Sequence, residues 1–230
     1  MGNGSLLLTI AVLGGTGKEG KGLAYRWARE GYKVLIGSRT SEKAVKTAAE
    51  IIELLEGSSS VVGMTNLEAA QQADIVVVTV PYAAHRPTLE NVKDALKGKL
   101  LVDVTVPLVP PKVSKVQMPA AGSAAQEARE IVGPEVEVVA AFQNVSHQHL
   151  LHQEEVECDV LVTGTSRQAR AEVLKLVEAT GLRGWDAGPI ENSVVVEGLT
   201  SVLININKQY GSTHAGIRIT GAPNRPESSV

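Results

Sequence analysis

Strand-like and helix-like segments alternate through nearly all of this 230-residue chain. That alternation predicts an α/β fold, a doubly wound and mainly parallel sheet with a small helical C-terminal domain. Two local features point the same way. Ile75-Val76-Val77-Val78-Thr79-Val80 is a continuous, mostly β-branched run, as a central parallel strand covered on both faces requires. Gly15, Gly17 and Gly20 follow an apolar strand and open a helix, at the spacing that turns a chain tightly against a pyrophosphate. Together these features predict a Rossmann-type, dinucleotide-binding sheet.

Each element has its own warrant. Residues 6–13 read as the first buried strand, and 18–30 as a helix with Leu23 and Trp27 on one face. Gly31 stands where a helix C-terminal glycine belongs, and 32–36 return as the second strand. Residues 42–55 are expected to be helical, with Val45, Ala48, Ala49, Ile52 and Leu55 along the buried side. A short strand at 61–64 follows, and Asn66 is expected to cap a brief helix through Gln72. Pro81 ends the central strand at 75–80, and a helix over 88–96 leads to a strand at 100–103. Pro107, Pro110, Pro111 and Pro119 make 106–119 a loop. A helix at 123–132, strands at 136–141 and 160–163, a helix at 168–180 and a last strand at 182–186 complete the alternation.

From Ile190 the pattern changes to one long apolar segment, 193–207. The expected organisation is a nucleotide-binding domain over 1–189, a small helical domain over 190–221 covering its cleft, and a polar, disordered tail over 222–230. The apolar stretch 194–206 exceeds what a small cap needs to bury, which predicts a homodimer.

Composition narrows the class. A net charge of −3 with 43% hydrophobic residues describes an ordinary soluble globular protein. Aromatic residues make up 3% and no basic patch is visible, so nucleic acid is not an expected partner. Cys158 is the only cysteine, which excludes an internal disulfide, suits a cytoplasmic location and favours a packing role over a nucleophilic one. The N-terminal apolar run lacks a basic flank and enters the glycine turn, so it reads as a core strand and not a signal peptide. Met1-Gly2 resembles a myristoylation start, but Leu6 occupies the position that wants Ser or Thr. No run reaches membrane-spanning length.

The chemistry should sit at the C-terminal strand ends of such a sheet. There Gly15, Thr16, Gly17, Lys18, Glu19 and Gly20 form the phosphate turn. The second strand ends not in the Asp or Glu that would accept from the ribose hydroxyl of NAD but in Ser38, Arg39 and Thr40, with Lys43 close behind. A carboxylate there would repel a 2′-phosphate, whereas these residues would hold one, so the expected cofactor is NADP(H). Val80, Pro81 and Tyr82 would lie against a ribose, and the ends at 105–110 and 142–147 would line the place of hydride transfer. No nucleophile triad or acid–base pair stands out, which fits a hydride transfer run by positioning, and no catalytic side chain is expected.

His147, His149 and His152 cluster, but neither strand nor helix spacing aligns all three, so a metal is disfavoured against a pocket-lining, solvated or capping role. For His85 and His214 a surface position is favoured. Arg86, Lys112, Lys115, Lys208 and Arg218 are individually expected as solvated charges, although a polyanionic second substrate would use a few of them.

These residues resemble a known family. Gly14-Gly15-Thr16-Gly17 with Gly20-Lys21-Gly22, Gly37-Ser38-Arg39 and Pro107-Leu108-Val109-Pro110 look like the NADP-dependent reductases of the deazaflavin coenzyme F420. Asp186-Ala187-Gly188-Pro189, Asn192-Ser193, Glu197, Leu199-Thr200 and Gly216-Ile217 extend the likeness over nearly the whole chain. The resemblance implies reversible hydride transfer between C4 of nicotinamide and C5 of the deazaflavin, stacked face to face in a cleft between the two domains. It implies NADP phosphate contacts from Thr16, Ser38, Arg39 and Lys43, and a deazaflavin wall at Phe142-Gln143-Asn144-Val145. Gln143 stands where some members carry His and is expected to donate to a ring carbonyl; Val145 replaces a bulkier aliphatic residue.

Two other readings compete. One is a different NADPH-dependent reductase, acting on an imine, keto acid, flavin or ferric ion, which would usually need a proton donor. The other is a non-enzymatic NADP(H)-binding redox sensor.

Overall fold

The computed structural model describes residues 8–57, 59–151 and 157–222. Met1 and Gly2, the first two residues of the expected first strand (Leu6 and Leu7), His152 and the tail from Pro223 onward lie outside them. Eight strands form one sheet: β1 (Thr9–Leu13), β2 (Lys33–Ser38), β3 (Val61–Thr65), β4 (Ile75–Val78), β5 (Leu100–Asp103), β6 (Glu137–Ala140), β7 (Asp159–Gly164) and β8 (Arg183–Pro189). Their order is β3-β2-β1-β4-β5-β6-β7-β8, and every neighbouring pair is parallel except β6 with β7. The first six therefore follow the doubly wound order that reverses between β1 and β4, where an open crevice forms above the strand ends.

Strand alternation sends Ile10, Val12, Val34 and Ile36 to one face, with α1 (Lys18–Arg29), α2 (Ser41–Leu54) and, further along the sheet, α7 (Arg167–Ala179). Ala11, Leu13, Leu35 and Val76 point to the other, with α3 (Asn66–Gln72), α4 (Tyr82–Val92) and α5 (Ala124–Val132). Both faces are dry, so the central strands are apolar throughout instead of alternating. A single helical turn, α6 (His147–Leu150), follows β6, and α8 (Ser193–Tyr210) closes the order.

Three expectations change. The buried side of α2 carries Ala44, Thr47, Ala48 and Ile51, while Val45 is 54% exposed. The helix lies so close over β3 that a Cβ on Gly63 would stand 2.2 Å from the Ala44 carbonyl carbon, and only small side chains fit that approach. The cap of α3 is Thr65, whose hydroxyl accepts from the Glu68 amide while the Glu68 carboxylate accepts from the Thr65 amide. Asn66, expected there, is released for a task at the site. Finally, α4 begins at Tyr82, six residues before the expected helix, and carries Pro87 internally. Its missing amide and ring clash cost about 3 kcal/mol, but burying His85, Leu89 and Val92 holds the helix together. The stretch Lys93–Leu96 is a tighter 3₁₀ turn.

The long apolar segment after Ile190 is α8, ended by Gly211 in the left-handed conformation at φ 68°. It buries Ser193, Val196, Glu197, Gly198, Ser201 and Leu203, and turns Val195, Val202, Ile206 and Tyr210 outward.

Candidate functional site

The glycine turn between β1 and α1 shapes the crevice. The amide of Gly15 donates to the carbonyls of Val12 and Gly37, and Gly17 to Gly14, folding the turn back on the sheet. Gly14 has φ 72° and would drive a Cβ to 2.6 Å from the Val80 side chain. A Cβ on Gly20 would meet the Thr79 hydroxyl at 2.5 Å, so only glycine lets α1 start this close to β4. Two residues that the sequence reading missed brace the turn. Asn66 Oδ1 accepts from the Gly14 amide at 3.2 Å, and the Thr79 hydroxyl donates to the Leu13 carbonyl at 2.9 Å. Their chemistry is ordinary, and no local pattern marks their partners, which lie over fifty residues away in sequence.

A cleft of about 750 Å³ opens here. Gly14, Thr16 and Gly17 form one end, Ser38, Arg39, Thr40 and Lys43 another, and Val80 and Pro81 a side. Asn66, Thr79, Ala83, Ala84 and Thr88 complete the lining. Ser38 is buried, whereas Arg39, Thr40 and Lys43 are exposed. Neither Arg39 nor Lys43 is paired with a carboxylate among the described residues. Of the turn residues, Gly15, Lys18, Glu19 and Gly20 shape or flank the cleft without lining it. Tyr82 also turns away from it, toward Glu127 and the His85 ring 6.1 Å distant.

His85 is the clearest departure from expectation, for it is fully buried and not on the surface. Its Nε2 lies 2.7 Å from Oδ2 of Asp103, also fully buried, and its Nδ1 lies 3.7 Å from Glu127. Burial alone would lower the imidazole pKa, but the charge and hydrogen bond of Asp103, with help from Glu127 and Glu197, raise it above its ordinary value. Glu197 of α8 reaches into the same cluster and accepts from the amides of Ala124 and Ala125 at 2.6 and 3.1 Å. Burial and the Asp103 charge push its carboxyl up to about 8 despite those amides. The sequence reading named Glu197 only through the family resemblance.

Asp103 joins this cluster to the other half of the site. Its Oδ1 accepts from the Thr105 amide and its carbonyl accepts from Gln143 Nε2 at 2.8 Å. Phe142, at the end of β6, holds φ 72°, rare for an aromatic residue, with its ring edge-on to Trp27. That turn swings Gln143, Asn144 and Val145 against α8. Asn144 Nδ2 donates to the Val196 carbonyl and the Thr200 hydroxyl, which in turn donates to the Gln143 carbonyl. Gln143, Asn144 and Val145 border a second cavity of about 150 Å³. The Gln143 amide thus spends one donor on the backbone, and its buried Oε1, like Asn144 Oδ1, has no hydrogen-bond partner among the described residues. Its free carbonyl adds an acceptor beside the second N–H of the same amide, the donor expected from the sequence. Pro107 is buried beyond β5.

The remaining candidates are spread over the molecule. His147 is half-buried, with its pKa lowered by burial and then by Lys18. His149 packs edge-on to the exposed His214, and among the described residues no group of three or more His, Cys, Asp or Glu could hold a metal. Arg86 is tied to Glu127 and Glu90, and Arg218 to Glu157, while Lys112 and Lys208 are exposed. Cys158 is a buried thiol packed on Gly216, whose Cβ would come within 2.6 Å of its sulfur. Among the described residues, no helix is long and apolar enough to cross a membrane.

A glycine turn at the switch point, a cleft across the strand ends and a basic end to β2 define a Rossmann-type nucleotide-dependent oxidoreductase. Residues 9–107 match the family model described as NADP oxidoreductase coenzyme F420-dependent. The F420-dependent NADP reductase of Methanothermobacter marburgensis is 42% identical over 94% of this chain and 100% of its own. That of Methanocaldococcus jannaschii is 38% identical over 93% and 98%. A crystal structure from Arthrobacter sp. FB24, provisionally assigned as an F420-dependent NADP reductase, superposes with a TM-score of 0.77 at 26% identity, covering 93% of this chain and 99% of that one. This chain belongs to the family of F420-dependent NADP reductases.

Proposed function

We propose that this chain moves a hydride reversibly between C4 of the nicotinamide of NADP(H) and C5 of coenzyme F420. The observation that carries the reading is the end of β2, where Arg39 and Lys43 stand free beside Ser38 and Thr40, with no acid lining the cleft, in a chain of this family. The two cofactors supply the redox chemistry, and the protein's task is to hold them in register.

In this reading Ser38, Arg39, Thr40 and Lys43 bind the 2′-phosphate, with Arg39 as the bidentate partner. Gly15, Gly17 and Gly20 hold the turn tight and leave room for the pyrophosphate, which the orphan amides at the N-terminus of α1 take beside Thr16, and Lys18 faces it from the rim. Val80 and Pro81 pack on ribose, while Tyr82 supports them from behind. Pro107, Gln143, Asn144 and Val145 line the deazaflavin half, and the two buried, unpartnered side-chain carbonyls there suit a ring N–H donor. The chain divides into a nucleotide-binding domain, 1–189, and a smaller unit, 190–221, whose α8 closes that half from one side. The protein works as a cytoplasmic homodimer on small-molecule cofactors.

The test is the absorbance of oxidised F420 at about 420 nm after mixing with enzyme and NADPH, NADH or no nucleotide. Rapid bleaching with NADPH alone is the expected result. Nucleotide binding without bleaching would reject the acceptor and favour another reductase or a sensor.

A further inference from the structure

Glu19 is a carboxyl group that the phosphate half of the site does not explain. It is the second residue of α1, inside the glycine turn, where an ionised side chain facing the cleft would repel a pyrophosphate. It does not line that cleft. Helix geometry accounts for its direction. Glu19, Gly22 and Arg26, at i, i+3 and i+7, share one stripe of α1, and the stripe faces α6. Gly22 abuts Leu150, where a Cβ would stand 2.5 Å from the Leu150 Cβ. Arg26 donates to the carbonyls of Leu150 and His149 at 2.8 and 2.7 Å. His147, the first residue of α6, feels the charge of Lys18. The Glu19 end of the stripe therefore looks toward the segment that follows β6, on the opposite side of the glycine turn from Arg39. Glu19 is partly exposed as a residue, but its Oε1 is shut off from solvent and has no hydrogen-bond partner among the described residues.

We propose that Glu19 answers the charge of the nicotinamide ring, a carboxylic acid beside the neutral ring of NADPH and a carboxylate beside the pyridinium of NADP+. The inference rests on the NADP(H) reading above. A dinucleotide anchored by its adenosine phosphate at Arg39 and crossing the β1–β4 switch sends its nicotinamide toward the ends of β4 to β6. That is the side to which Glu19 points. Burial pushes the Glu19 carboxyl up to about 8, so it holds its proton at neutral pH in the free protein. A cation brought within a few ångströms favours the charged form. A neutral ring offers no such pull.

Among the described residues, the ionisable groups around this stripe are otherwise engaged or exposed. On α1, Lys21 is paired with Glu50 of α2, Arg26 caps α6, and Lys18 is exposed. On α6, His147 has a lowered pKa and His149 packs on His214. The segment 142–146 carries none. Glu19 is thus placed to be the group whose protonation follows the ring. As pH rises through its pKa, the carboxylate becomes available without proton release, and the bound couple tips toward NADP+.

Calorimetric titration of the whole protein with NADP+ and with NADPH, in buffers of different ionisation enthalpy at about pH 7, counts the protons released. The 2′-phosphate contributes equally to both nucleotides and cancels. The wild type should release up to about one more proton with NADP+ than with NADPH, and its NADP+ preference should climb several-fold between about pH 6 and 8. In Glu19→Gln, and in the non-titrating Glu19→Leu, both differences should vanish while each nucleotide still binds. Equal proton release in the wild type, or a difference that survives in both variants, overturns the proposal with NADP(H) binding intact. Failure of either nucleotide to bind the wild type removes the NADP(H) reading and this inference with it.

Discussion

Arg39 shows how much a single side chain can decide. It stands exposed at the end of β2, with no ion pair among the described residues, so its guanidinium has nothing to give up when a phosphate arrives. Arg39→Asp replaces a charge-assisted hydrogen bond with repulsion and should weaken NADPH binding by about 1.5–3 kcal/mol with little effect on NADH. Fluorescence titration of both nucleotides measures this, and unchanged NADPH affinity would place the phosphate elsewhere. Such a residue is legible in sequence because its meaning is local: a basic side chain where the motif normally has an acid. Asn66, Thr79 and Asp103 are illegible for the opposite reason. Asp103 is one acidic residue among 25 acidic ones until the fold sets it against His85, Thr105 and Gln143. Gln143 is an intermediate case, since its position is legible in sequence but the Asp103 carbonyl that takes one of its two N–H groups is not.

At the level of elements, the central strands β1, β4 and β5 are visible as apolar runs, because a sheet covered on both faces needs apolar residues there. The edge strand β8, by contrast, carries Arg183, Asp186 and two glycines and is legible only by its place in the alternation. Helices were harder where packing overrode local preference. Pro87 argues against a helix through 82–92, yet the buried side of α4 outweighs it. The buried face of α2 is rotated from the expected one, keeping Ala48, with Ile52 and Leu55 packed at its edge, because the close approach of β3 places Ala44 inward and Val45 outward. That close approach makes a sharp prediction. Gly63→Ala would drive a Cβ into the backbone of Ala44 and Val45, which cannot rotate away as a side chain could. A loss of about 2 kcal/mol or more in stability is expected by chemical denaturation, with α2 the first element to lose amide-exchange protection. Wild-type stability in this variant would mean that α2 does not lie so close.

At the scale of the whole molecule, α8 presents two different faces. One carries Glu197 to the amides of α5 and Thr200 to the Gln143 carbonyl, fastening the C-terminal segment to the site. The other exposes Val195, Val202 and Ile206 along one outward stripe, with Val195 64% exposed. A homodimer burying this stripe should scatter light at twice the 24.2 kDa chain mass, and Val202→Glu should return it to the single-chain value. A wild type that already runs as one chain would dismiss the dimer. By itself the sequence determined the sheet, the glycine turn and the charge at the end of β2, because each follows from hydrophobic runs, backbone sterics or charge within a few residues. Only the tertiary structure decided that His85 is buried against Asp103, that Asn66 braces the turn and that Glu19 lies on the stripe of α1 that packs on α6, away from the phosphate cleft. Those facts depend on contacts between residues distant in the chain, and their energies exist only once water has been excluded between them.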